Sequence, residues 1–334
     1  MTQPGDSPRD EIEISPFAME AAVLPGSAVG TDPLDDAVPD VLSASVGDGL
    51  TDVAPPRSFR KDAWSRYKKN KLAVAGLVVF VLVVIVAIFA PLIAPYGFDQ
   101  IGDQFRQPPS LEHWFGTDNI GRDVFSRVVY GARVSLVIGL LAVLLDTVVG
   151  LTTGALAAWY GKATDTVIMR STDVLLSIPY LVLAFAIITV VGRGSVAVVL
   201  TLGLTSWMTT TRVLRSSILQ TRNREYVEAA RAIGCPDRTI LFRHVMPNSI
   251  QPLIPYIATG IGDVILAEAA LSFIGVGVRP PTPSWGLMIN EGSKYFVTSP
   301  YLLLFPGMAI FITVLAFLFI GDGLRDALDT KELV

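Results

Sequence analysis

One cysteine among 334 residues, Cys235, excludes an intrachain disulfide. The two histidines, His113 and His244, are far apart in the chain, and neither H-E-x-x-H nor G-x-S-x-G occurs, so metal-dependent and nucleophilic hydrolysis both lack their usual side chains. No G-x-x-x-x-G-K-[ST] is present, and the chain therefore has no Walker A loop of its own in which to hold nucleotide phosphates. Gly192 to Ala197, "GRGSVA", has the glycine spacing of a dinucleotide fingerprint, but it lies between two apolar runs with no strand before it. Catalytic residues, bound cofactors, metals and a nucleic-acid partner are all absent from the expectation. Charge is scarce as well: only 17% of residues are Asp, Glu, Lys or Arg against 51% apolar, too greasy a balance for an ordinary soluble domain.

The little charge there is sits unevenly. Residues 1–56 hold eleven Asp and Glu against a single Arg9, a net of −10 that leaves +6 on the rest of a chain whose total is −4. That segment is rich in Pro, Gly, Asp and Ser with one aromatic, Phe17, and is expected to be a disordered acidic tail, because it cannot bury enough apolar surface to offset its ordering entropy. It also lacks the positive start and early apolar run of a secretory signal. Residues 57–71 follow as a basic juxtamembrane segment with seven Lys and Arg.

From there to residue 334 the pattern is that of an all-α polytopic membrane domain. A helix needs about 20 apolar residues to cross the hydrocarbon, and six runs approach that, near 72–94, 134–158, 174–192, 196–211, 251–275 and 301–321. The basic entry at Arg57 to Lys71 puts the N-terminus in the cytoplasm. Six crossings return the C-terminus there and place residues 212–250, with seven arginines, on the same side. Residues 95–133 and 276–300 then lie outside, and Trp285, Tyr295 and Phe296 read as headgroup-level aromatics.

Within the spans, Gly150 and Gly154 form a small-xxx-small pair suited to close helix approach. Asp146, Asp263 and Glu268 are costly at membrane depth unless they face protein or water. For Glu268 two roles stay open, a hydrogen-bond partner inside the bundle and a gate or pathway group. Ser206, Thr209, Thr210 and Thr259, with Asp263 and Glu268, are candidate pathway residues, although small hydroxyl residues serve equally well in helix packing.

Between the fourth and fifth spans comes "EYVEAARAIGCPDRTILFRHVMPN", residues 225–248. Its first part is a good helix former, with apolar Tyr226, Ala229, Ala230 and Ile233 recurring at 3 and 4 spacing. Gly234 stops that helix. Pro236 and Asp237 suit the first turn of a second one, and Pro247 is expected to close it. Two short helices with a bend make a compact knob that a soluble protein could grip.

"EAARAIG" followed by nine residues and "HVMP" is similar to the EAA loop of ATP-binding-cassette importer permeases, on Glu228, Ala229, Ala230, Gly234 and Pro247. "HVMPN" departs from the general I-x-L-P ending and resembles the H-x-L-P-N form of the peptide and nickel branch. "FGTDNIGRDVFSRVVYGAR", "DVLLSIP" and "EAALSFIGVGVRPPTPSWG" also look like the second permease subunit of dipeptide and oligopeptide importers. The resemblance runs from about Arg57 to Leu324.

It implies the type I importer permease fold and a transport subunit, not an enzyme, in the plasma membrane. It also implies a second, homologous permease, one or two ATPase subunits, an extracytoplasmic substrate-binding protein, and coupling through residues 225–248. Peptides lead as substrate, with nickel or another small solute as the alternative. From another class, an ion-coupled secondary transporter would use Asp146, Asp263 and Glu268, but it should show internal repeats, and none is visible.

Overall fold

The computed structural model describes residues 59–329; the acidic segment 1–56 lies outside them. Helix α1 (Phe59–Lys69) and helix α2 (Lys71–Ile88) meet at Asn70, whose side-chain oxygen accepts from the amides of Leu72 and Ala73 at 3.1 Å each. This is an N-cap, and it turns the basic entry into the apolar span. The span was expected to reach residue 94; instead α2 stops at Phe89, and Pro91 starts a separate turn, α3 (Ala90–Ile93). A proline has no amide to continue the helical ladder.

After an irregular segment, Asp123 caps α4 (Val124–Tyr160) by accepting from the Ser126 amide at 2.7 Å. Its 37 residues would extend about 56 Å at 1.5 Å per residue, well beyond a bilayer core. The run expected to cross as one helix over 174–192 is broken. Helices α5 (Lys162–Leu176) and α6 (Tyr180–Val191) are bent by 93° at Ser177 to Pro179. Pro179 disfavours the α region for the residue before it.

Helix α7 (Ser195–Thr221) is longer than the expected 196–211. It takes in Arg212 and Arg215, which belong to a span and not to the following loop; they pair with Asp173 and Asp165 of α5. Helix α8 (Glu225–Ala232), the single turn α9 (Asp237–Thr239), a π-helical turn (Ile240–Val245) and α10 (Met246–Ser249) form the segment between spans. Helices α11 (Leu253–Ile274), α12 (Trp285–Ser293) and α13 (Tyr301–Leu328) complete the described chain. Five helices, α2, α4, α7, α11 and α13, are long and apolar enough to cross a membrane, and the bent α5–α6 pair would be a sixth.

The closest helix pair is α4 with α7, for a reason visible in residue size. A Cβ on Gly150 would stand 2.5 Å from the Thr210 side chain, and one on Gly154 2.9 Å from the Thr211 carbonyl. The missing side chains let the backbones approach. Two polar contacts seal the seam, Thr153 to Thr211 at 2.6 Å and Thr210 to Asp146 at 2.9 Å. Trp285, expected at headgroup level, is instead buried between α4, α11 and α13, and its indole nitrogen donates to the Val128 carbonyl at 3.0 Å. A buried indole needs such an acceptor.

Candidate functional site

The segment between α7 and α11 is built around one turn. Helix α8 ends at Ile233, and Gly234 takes φ +80°. The amide of Cys235 then donates to the Ala230 carbonyl and that of Gly234 to the Arg231 carbonyl, both at 3.0 Å. These are the two bonds of a Schellman motif, which satisfies carbonyls left open at the helix end. The chain reverses, Pro236 leads into α9, and the π-helical turn carries it to Met246. Pro247 does not close this second helix; it occupies the first turn of α10, where a proline's missing amide is harmless.

The buried face of α8 also differs from the expected one. Val227 and Ala230 are the buried residues, packed with Ile240, Leu241 and Val245 onto Ala158 of α4, Leu214 and Ile218 of α7 and Leu253 of α11. Tyr226, Ala229 and Ile233 face outward, Ile233 with 80% of its surface exposed. Alanine and isoleucine spacing alone could not separate the two faces, because Val227 lies between them in sequence. The outer surface of the tip therefore carries Glu225, Tyr226, Glu228, Ala229, Arg231, Ile233 and Phe242. Arg231 lies 5.9 Å from the Trp159 ring, and Arg222 donates to the Ala158 carbonyl at 2.8 Å. Both tie the tip to the end of α4.

The candidate pathway residues separate into two groups. Thr210 and Glu268 are fully buried. Glu268 accepts from Ser135 of α4 at 3.2 Å and from Ser272 at 2.7 Å, so the carboxyl is held inside the bundle by hydroxyl donors, with no open face. Ser206, Thr209 and Thr259 are half-buried and Asp263 is exposed on α11. The Ser206 hydroxyl lies 3.3 Å from the Tyr180 hydroxyl, and Thr259 lines a cavity of about 520 Å³ with Tyr256, Gln251, Asp322 and Arg325.

At the opposite end, a cluster that the sequence reading missed joins three segments. Arg122 donates to Asp118 at 2.6 Å and to Glu291 at 2.9 Å; Arg127 donates to the same two carboxylates at 2.9 and 2.8 Å. Arg127 has only 1% of its side chain exposed. Burial pushes the Glu291 carboxyl above the usual carboxylate range, with Arg122 pulling the other way. Asp118 and Arg122 lie in a non-helical turn, where their spacing carries no pairing signal, and the partner on α12, far along the chain, had none either. His113 and Asp123 add a contact of 2.9 Å. Among the described residues no group of His, Cys, Asp and Glu could hold a metal ion.

Residues 58–109 match the family described as N-terminal TM domain of oligopeptide transport permease C, and residues 150–333 match Binding-protein-dependent transport system inner membrane component. The dipeptide transport system permease protein DppC of Alkalihalophilus pseudofirmus is 40% identical over 294 residues, covering 88% of this chain and 95% of the relative. The glutathione transport system permease protein GsiD of Escherichia coli is 42% identical over 270 residues, covering 80% and 89%. A solved structure of the MetNI methionine ABC transporter, in inward-facing conformations, is 19% identical with a TM-score of 0.49 and covers 60% of this chain and 96% of that one. With over half its length matched by one family and near-complete coverage of long relatives, the chain belongs to the binding-protein-dependent transport system inner membrane components, as an ABC importer permease of the C type.

Proposed function

We propose that this chain forms half of a translocation pathway for dipeptides or oligopeptides and couples that pathway to a separate ATPase through residues 225–248. Family membership implies the ATPase, a second permease and a substrate-binding protein as partners. The observation that carries the coupling reading is the geometry of the tip. A Schellman turn at Gly234 holds two short helices as one unit, Val227 and Ala230 root it in α4, α7 and α11, and Glu228 and Ala229 stand outward. A small residue beside a carboxylate on an exposed helix suits insertion into a cleft that offers a cation.

The peptide class is supported by the names of two relatives, one a dipeptide permease and the other a permease for glutathione, itself a tripeptide. Nickel loses ground on the same comparison. A cytoplasmic assignment of both termini and the tip is supported by charge: seven Lys and Arg lie between Arg57 and Lys71, and the tip is rich in arginine.

The test is uptake in a strain deleted for this gene and complemented with it. Labelled dipeptide and glutathione should enter only when the chain is present. Peptide uptake that survives deletion while nickel uptake is lost would overturn the substrate assignment.

A further inference from the structure

We propose that α1 is a binding site for anionic phospholipid headgroups, formed by a stripe of Lys61, Trp64 and Lys68 with Lys69 beside it and Lys71 following at the start of α2. The helix has one side bonded to the bundle and one side open. Positions 66, 67 and 70 turn toward α13. Tyr67 is buried with its hydroxyl donating to the Ala73 carbonyl at 3.0 Å, Arg66 donates to the Asp329 carbonyl at 3.0 Å, and Asn70 donates to Asp326 at 3.1 Å. Positions 61, 64 and 68 follow one another at spacings of three and four along α1, and they and Lys69 and Lys71, which begins α2, are all exposed.

What that open stripe offers is specific. Trp64 is 50% exposed, stacks on Tyr67 with centroids 5.7 Å apart, and has the Lys68 ammonium 5.1 Å above its ring. An indole held flat beside ammonium groups is the chemistry of the membrane–water boundary, where the ring sits at headgroup level and lysines extend toward phosphates. None of the four lysines makes a hydrogen bond or ion pair among those found in the described residues. The charges are therefore available, while Asp62, the one acid of α1, is half-buried.

Position settles the kind of partner. Asn70 joins α1 directly to a span that begins at Lys71, so the stripe stands at the edge of the bilayer and cannot leave it. An anionic phospholipid meets the requirement of a negative phosphate at that depth with an apolar body for Trp64; a soluble acidic protein meets only the first. Because the other face is bonded to the end of α13, a headgroup held here also fixes the depth of α2 and α13 together.

The full complex, containing this chain and its partner subunits, would be purified and exchanged into nanodiscs of phosphatidylcholine with and without phosphatidylglycerol. Native mass spectrometry would count the retained phosphatidylglycerol. Replacing Lys61, Lys68, Lys69 and Lys71 together by Gln should cut retention at least ten-fold at low salt, since a single basic residue near an anionic surface is worth about five-fold. Replacing the same four by Arg should retain the lipid, and Trp64→Ala should weaken retention while leaving all the charges. Equal retention in the parent and the Gln variant would overturn the proposal. So would loss of lipid in the Arg variant, because that would trace the effect to helix packing and not to charge. If the stripe served a protein partner instead, lipid counts would not respond to any of the substitutions.

Discussion

Gly234→Val isolates the contribution of a single backbone angle. Gly234 sits at φ +80°, and nothing lies within 4 Å of where its Cβ would be. The fold leaves room for a Cβ there, so the main cost of a valine is the left-handed backbone itself, about 1 to 3 kcal/mol for a residue branched at Cβ. At 1.4 kcal/mol per ten-fold, that shifts the turn about 5- to 150-fold toward other geometries. The two bonds that depend on it, Cys235 to Ala230 and Gly234 to Arg231, would be lost with it, and the chain after Pro236 would leave α8 in a new direction. Gly234→Asn is the matched control, since asparagine tolerates positive φ far better. In the reconstituted complex, stimulation of ATP hydrolysis by loaded binding protein should fall about five-fold or more for Val and remain near the parent for Asn. Insertion into the membrane should not change, because the spans lie outside the turn. Val and Asn variants that both couple like the parent would refute the role given to this turn.

Glu228→Lys should weaken capture of the ATPase by the purified permease, the deficit shrinking as salt rises, because an exposed attraction becomes a repulsion; unchanged capture at low salt would show that Glu228 faces no cation. In a Cys235→Ala background, a cysteine at position 297 should react with an impermeant thiol reagent on intact cells, and one at 231 should react only after permeabilisation. Position 297 suits this, since Val297 is 91% exposed. Arg127→Met should lower the thermal midpoint of the solubilised complex, because breaking a buried ion pair costs about 3 to 5 kcal/mol, and adding Glu291→Gln should recover part of the loss by removing the stranded charge. A single variant that melts with the parent would show the cluster to be energetically neutral.

The sequence is most legible where one local cause decides the outcome. Apolar runs marked the five helices long enough to cross a membrane, since length and hydropathy suffice there, while the run at 174–192 is broken. Gly234 announced the end of α8, and Gly150 with Gly154 announced the tight seam with α7, because in each case a missing side chain has one structural use. Legibility fails where the cause is another part of the chain. Trp285 carries an aromatic that reads as interfacial, but the packing of α4, α11 and α13 around it decides otherwise. The 93° bend at Pro179 shows the same limit: the proline marks a break, while its angle depends on what α5 and α6 pack against. For Glu268, Ser272 four residues on was readable as a helical neighbour; Ser135, on another span, was not.

The two ends of the bundle are held by different balances of polar and apolar contact, and this bears on where a transport cycle can move. At the end bearing Asp118, Arg122, Arg127 and Glu291, charge-assisted bonds join the loop before α4 to α12, and such bonds tolerate little change of distance or angle. At the tip, the contacts of Val227, Ala230, Ile240, Leu241 and Val245 with α4, α7 and α11 are apolar and non-directional, supplemented by the Arg222 bond to Ala158 and, along α7, by the ion pairs of Arg212 and Arg215 with α5. Apolar surfaces can slide by a fraction of a side chain and repack at small cost, whereas a buried ion pair that separates strands its charges. Under the coupling proposed above, a displacement of α8 would reach Leu214 and Ile218 of α7 and Leu253 of α11 through close-packed side chains, and the ion pairs of Arg212 and Arg215 with Asp173 and Asp165 would carry α5 along with α7. Helices α7 and α11 also carry Ser206, Thr209, Thr259 and Asp263, the residues proposed for the pathway, and a movement of these two helices would shift them together.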